Sequence, residues 1–197
     1  LTNAYDRAFN GGARYNPETD SWTPMADVPE LGPRYDAASV WTGRELIVWG
    51  GGLRTGANRQ DQNPYLTYDT GGRYDPSLDR WTLLPAEGAP RSRYKHTVVW
   101  SGEEMLVWGG TTVTFTGVPP KAGSLSFNDG ARYNPVTDRW TPISTNGAPG
   151  ERSSHIAAWT GAEMIIWGGG NAKTECLNTG GRYDPRTDRW GPLTVES

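Results

Sequence analysis

Apolar residues along the chain gather in short runs, separated by polar, glycine-rich or proline-containing segments. The clearest runs are Leu46-Ile47-Val48-Trp49, Met105-Leu106-Val107-Trp108 and Met164-Ile165-Ile166-Trp167, each closed by a glycine pair: Gly50-Gly51, Gly109-Gly110 and Gly168-Gly169. Runs of this length, rich in branched and aromatic residues, predict strands. Glycine after them permits positive φ or the close approach of a neighbouring backbone. A second segment type has a fixed form. Tyr15, Tyr74, Tyr133 and Tyr183 stand seven positions before Trp22, Trp81, Trp140 and Trp190, with an Asx-Pro pair and a closing Asp between them. Proline presets φ and the Asx side chain caps nearby donors, so each segment predicts a tight hairpin.

The segments recur. All ten tryptophans fall into three classes: Trp22, Trp81, Trp140 and Trp190; Trp41, Trp100 and Trp159; Trp49, Trp108 and Trp167. Within each class the spacing is 59 residues, except for a last step of 50 in the first class. The repeat unit therefore carries four strands. The first two form hairpins at 34–51, 93–110 and 152–169, and the last two at 13–25, 72–84, 131–143 and 181–193. The predicted fold is all-β: three complete four-stranded antiparallel units preceded by the outer half of another. Its divisions are 1–33 for the half unit and its link, then 34–90, 91–150 and 151–197.

These strings resemble the kelch repeat, with Gly109-Gly110 after an apolar strand, then Tyr133, then Trp140, and Arg93 and His96 opening the first strand. The first copy departs from the pattern by having Ala37 where the others have His96 and His155. The resemblance implies a kelch-type β-propeller arc whose blades surround a central channel. Propellers have about 4–8 blades, so the remaining blades are expected from a longer chain or from other chains. The strings are also similar to those of bacterial kelch proteins, many of them exported, which implies an extracytoplasmic or secreted location.

Composition agrees with strands and turns. Gly (26) and Pro (15) disfavour a helical bundle, and ten Trp with nine Tyr disfavour disorder. A net charge of −3 gives no footprint for nucleic acid, and no apolar run approaches a membrane span. The single cysteine, Cys176, excludes an intrachain disulfide framework.

No unique catalytic constellation, metal-ligand set or cofactor motif stands out. His96 and His155 share one repeat position, which reads as architecture. The pairs Phe9-Asn10, Tyr68-Asp69, Phe127-Asn128 and Leu177-Asn178 precede each third strand, where turn capping is favoured over cation binding. Arg14, Arg73, Arg132 and Arg182, directly before each tyrosine, read as links between blades. Arg34, Arg93 and Arg152 open each first strand. As a ring at the channel mouth they would grip carboxylates of a peptide or an acidic sugar; alternatively each pairs with a local acid or carbonyl. The loops after the second strand, 52–70, 111–129 and 170–179, vary most on a constant frame, where binding identity sits. Their candidate contact residues are Arg54, Arg59, Tyr65, Phe115 and Lys121. The resulting expectation is a non-enzymatic module that holds a protein, peptide or glycan on its loop face. The alternatives are a carbohydrate-active or isomerase-type enzyme fragment with its catalytic residues elsewhere, or a surface-assembly segment.

Overall fold

A computed structural model describes residues 11–54, 65–117, 121–173 and 175–193. The half unit is β1 (Ala13–Asn16) and β2 (Ser21–Pro24), followed by a single 3-10 turn at Pro29–Leu31. The second unit runs β3 (Ala38–Trp41), β4 (Leu46–Trp49), an inserted hairpin β5 (Gly52–Arg54) and β6 (Tyr65–Thr67), then β7 (Gly71–Asp75) and β8 (Arg80–Leu83). The third repeats this with β9 (Thr97–Trp100), β10 (Met105–Trp108), insert β11 (Thr111–Thr116) and β12 (Lys121–Ser126), β13 (Gly130–Asn134) and β14 (Arg139–Pro142). The fourth has β15 (Ile156–Trp159), β16 (Met164–Trp167), β17 (Gly180–Asp184) and β18 (Arg189–Pro192). Each complete unit is a meander in which neighbours in sequence order, inserts aside, are neighbours in the sheet. The architecture is thus three four-stranded antiparallel blades and one two-stranded outer half, as the repeats predict.

The described residues of the two long loops after the second strand pair as strands, β5 with β6 and β11 with β12. Thr112, Val113, Thr114 and Phe115 are good strand formers, and they pair with Leu125, Ser124, Gly123 and Ala122.

Blades lie face to face, with β9 touching both β3 and β15. One core lies between the second and third blades, built on Val40, Ile47, Trp49, Met105, Val107, Tyr133 and Trp140. The other, between the third and fourth, is built on Val99, Leu106, Trp108, Met164, Ile166 and Tyr183. Indole meets indole across each junction: Trp49–Trp140 at 5.7 Å and Trp108–Trp190 at 5.3 Å. His96 stands edge-on to Trp49 and His155 to Trp108. This explains the first glycine of each closing pair. Gly50 and Gly109 have positive φ, and a Cβ on either would lie 2.6 Å from the next blade's histidine ring.

Polar locks repeat on the outer half. Tyr74, Tyr133 and Tyr183 donate to Asp79, Asp138 and Asp188 at 2.5–2.6 Å, tying the hairpin across its turn. Trp81, Trp140 and Trp190 donate to the carbonyls of Ala26, Pro85 and Ser144 in the preceding link. Arg14, Arg73 and Arg132 donate to the carbonyls of Pro76, Pro135 and Pro185 on the following blade, so these three are links between blades. Arg182, in the last blade, is half exposed and faces Glu163 at 3.7 Å.

Candidate partner-binding face

The antiparallel order brings both inserted hairpins and the starts of all three first strands to one face. Tyr35, Tyr94 and Ser153 bridge to Gly52, Thr111 and Gly170, the first residues beyond each glycine pair. The inserts stand side by side, and the Thr67 and Thr112 hydroxyls are 2.8 Å apart.

The recurring arginines are the floor of this face and not its contact surface. Arg93 is fully buried and Arg152 nearly so, while Arg34 is partly covered. Arg93 donates through Nε to the Arg91 carbonyl, through Nη1 to the carbonyls of Gly109 and Asp129, and through Nη2 to the Asp129 carboxylate at 2.7 Å. Arg152 reaches Gly150, Gly168 and Thr179 in the same way, and Arg34 reaches Leu31, Gly32, Gly50 and Thr70. Each guanidinium clamps the incoming link, the end of the second strand and the residue before the third. Arg34 and Arg93 also stack on the rings of Tyr68 and Phe127, at 4.5 and 4.4 Å. Burial lowers the affinity of the Arg93 guanidinium for its proton, and Asp129 opposes that effect. The Asp129 carboxyl lies below its usual range because Arg93 and Arg91 outweigh the cost of its own burial. The expectation of a ligand-gripping arginine ring is therefore corrected: the donors are spent on backbone carbonyls, the Asp129 carboxylate and the hydroxyls of Thr70 and Thr179, which is the alternative of local pairing.

The residues following each arginine do reach the rim. They are Tyr35-Asp36, Tyr94-Lys95 and Ser153-Ser154, and Asp36, Lys95 and Ser154 take positive φ of 50–55° and are exposed. Tyr35 and Tyr94 meet edge to face at 6.3 Å, and the Lys95 ammonium lies 5.5 Å from the Tyr94 ring centre. Burial raises both hydroxyls above the usual tyrosine range; Tyr94, Tyr65 and Asp36 add to the rise at Tyr35, and Asp36 and Tyr65 to that at Tyr94. Sequence reasoning passed over these six residues. Their signal is that chemistry changes between copies directly after an arginine that does not.

Of the other expected contact residues, Arg54 is exposed at the end of β5, with its guanidinium 5.8 Å from the ring centre of Tyr65 on β6. Phe115 is half-buried on β11 and Lys121 exposed on β12. Arg59 lies outside the described residues, as does the pair Phe9-Asn10. Arg54 and Tyr65 thus join the tyrosine rim, while Phe115 and Lys121 belong to the neighbouring hairpin. Cys176 is exposed and bridges to Gly170.

Residues 2–197 match the family model described as the KLHDC2/KLHL20/DRC7 Kelch-repeats domain. Among curated proteins, the chain is 29% identical over 158 residues to Tip elongation aberrant protein 1 of Schizosaccharomyces pombe, covering 78% of this chain and 13% of that one. It is 28% identical over 148 residues to an F-box/kelch-repeat protein of Arabidopsis thaliana, covering 73% and 36%. Over 107 residues it is 30% identical to human Kelch domain-containing protein 3, covering 49% and 26%. The chain thus spans about a third or less of these relatives. They come from yeast, plant and human, and give no support to a bacterial, exported origin. The solved structure of YjhT superposes with a TM-score of 0.69 at 14% identity, covering 96% of this chain and 55% of that one.

Proposed function

The chain belongs to the kelch-repeat family, and from that premise we propose that it is a non-enzymatic binding module holding a protein or peptide segment on its hairpin-bearing face. One observation carries this reading. On that face a constant frame of arginines presents a rim that differs at every copy: Tyr-Asp, Tyr-Lys and Ser-Ser, flanked by Arg54 and Tyr65. Aromatic rings beside cations suit the hot spots of protein recognition, where Tyr and Arg are enriched. Family membership favours the same reading. It extends to the remaining blades, supplied by a longer chain or by other chains.

Affinity capture from cell extract with matched variants tests it. A Tyr65→Ala, Lys95→Glu double variant should lose the proteins that wild type retains. Val136→Glu, on an exposed turn of the opposite face, should keep them, and both should melt within about 2 °C of wild type. Equal capture by all three would sink the proposal.

A further inference from the structure

The strands at the edges of the sheets are of two kinds. The outer strands of the blades, β8, β14 and β18, are four residues long and begin with an exposed arginine, and β14 and β18 end on a proline. A short strand, a charge and a proline all hinder pairing between one sheet edge and another. β12 has none of this protection along its middle. It is six residues long, lacks proline and carries its one charge at its first residue, Lys121. Lys121 to Leu125 are all exposed, although Leu125 is apolar.

The ladder shows which groups of β12 are spare. Thr111 exchanges both main-chain bonds with Tyr94, and the Phe127 amide reaches the Gly110 carbonyl. The Thr111–Ser126 pair is therefore a non-bonded one. Alternation along an antiparallel ladder then turns the amides and carbonyls of Lys121, Gly123 and Leu125 towards β11, and those of Ala122 and Ser124 away from it. Among the described residues, β12 pairs with β11 alone, and no main-chain group reaches Ala122 or Ser124 from the far side. On the near side β11 stands beside β6 of the preceding insert. The next insert offers nothing comparable. The loops at 52–70 and 111–129 have 19 residues, whereas 170–179 has 10. Its described residues form one bridge, Gly170 to Cys176, and bond back through Asn171 to Glu175 and Leu177 to Gly169. The row of inserted strands therefore stops at an unprotected edge.

We propose that the partner docks by adding an extended segment of its own chain to the free edge of β12. This rests on the reading that the hairpin-bearing face holds a polypeptide, and names the form that polypeptide takes. An alternating row of main-chain donors and acceptors is matched by another extended backbone, which gives affinity, while alternate side chains give specificity. Guest side chains pair with those of β12 on a shared face. On the face of Lys121, Gly123 and Leu125, an acidic residue suits Lys121 and an aliphatic one suits Leu125. An aromatic ring between them covers Gly123, which has no side chain of its own. The guest is thus a strand that presents acid, aromatic and aliphatic residues at alternate positions.

Peptides selected from a displayed random library on the 197-residue chain provide the probe. Amide exchange followed by NMR should slow at Ala122 and Ser124 when a selected peptide binds the wild-type chain. Ser124→Pro removes an amide that β11 does not use and sets a ring in the guest's path, and edge positions of this kind tolerate proline. It should weaken binding at least about tenfold, whereas Ser124→Ala, which keeps the amide, should bind as wild type does. Unchanged exchange at the two amides would overturn the proposal, as would equal binding by Ser124→Pro, equal loss in Ser124→Ala, or a library that yields no binder. A chain that sediments as a dimer with both amides already protected would overturn it in favour of self-pairing. Peptides lost by the Tyr65→Ala, Lys95→Glu variant but kept by Ser124→Pro would fail the edge and spare the rim.

Discussion

Arg93 shows how a residue that looks like a recognition element becomes part of the frame. Its donors reach carbonyls and a carboxylate 2, 16 and 36 residues away, and its side chain has no contact with solvent. Removing it takes a charged donor from the carbonyls of Arg91, Gly109 and Asp129 and leaves the partly exposed Asp129 carboxylate to Arg91 alone, a loss of about 3 kcal/mol. Arg93→Ala should therefore lower Tm by roughly 10 °C in a chain of this size. A calorimetric scan checks this, and a shift under about 2 °C would return the guanidinium to the surface role. The sequence made the recurrence of this arginine plain but could not decide its fate. Every residue owns a carbonyl, so nothing in the chain marks which three converge on one side chain. Arg132 was readable because its repeat position, fixed against a tyrosine of a structural hairpin, left it little else to do.

Among the elements, the outer hairpin is the most legible, since its turn chemistry is local. Asp138 takes φ of 55° and accepts from the Tyr133 hydroxyl at 2.6 Å. It supplies both a left-handed residue and the lock across the turn. Burial, then Asp138 itself, raises the Tyr133 hydroxyl well above its usual range, so the lock holds through neutral pH. Asp138→Ala loses the hydrogen bond, about 1 kcal/mol, and strains the backbone by about 1–2 kcal/mol. Asp138→Asn keeps an acceptor and tolerates the conformation, so it should cost less than half as much. Urea unfolding of the pair would separate these, and equal midpoints would refute the role given to the turn. The inserts β5–β6 and β11–β12 were less legible. Their strands are irregular in pattern and bury little, so hydrophobic periodicity, which revealed the blades, is weak there.

For the molecule as a whole, the junctions between blades set the response to acid. His96 and His155 are buried against the tryptophans of the preceding blade, and burial lowers their pKa values from 6.5 to about 3 and about 4. Both are neutral when folded and take up protons when unfolded. Their contribution is complete above pH 6.5 and is lost as pH falls from 6.5 towards 4 and then 3. Well inside that window each histidine removes about 1.4 kcal/mol per pH unit. Denaturant midpoints should be level between pH 7.5 and 6.5 and fall from about pH 6.5 to 5.5, where ordinary carboxylates stay largely ionised; a flat profile would contradict the burial. The two junctions also differ. The Thr97 hydroxyl lies 2.7 Å from His155 Nε2, but the residue equivalent to Thr97 for His96 is Ala38, which has no hydroxyl to offer. Ala38→Thr should therefore stabilise the chain at neutral pH by about 1 kcal/mol.

The outer locks share one property. Arg14, Arg73 and Arg132 grip a carbonyl of the next blade, and Trp81, Trp140 and Trp190 grip a carbonyl of the preceding link. The acceptor is main chain every time, so a blade asks nothing of its neighbour's side chains at these points. A blade with a different sequence at its outer edge would meet the same grips, whatever rim it carried.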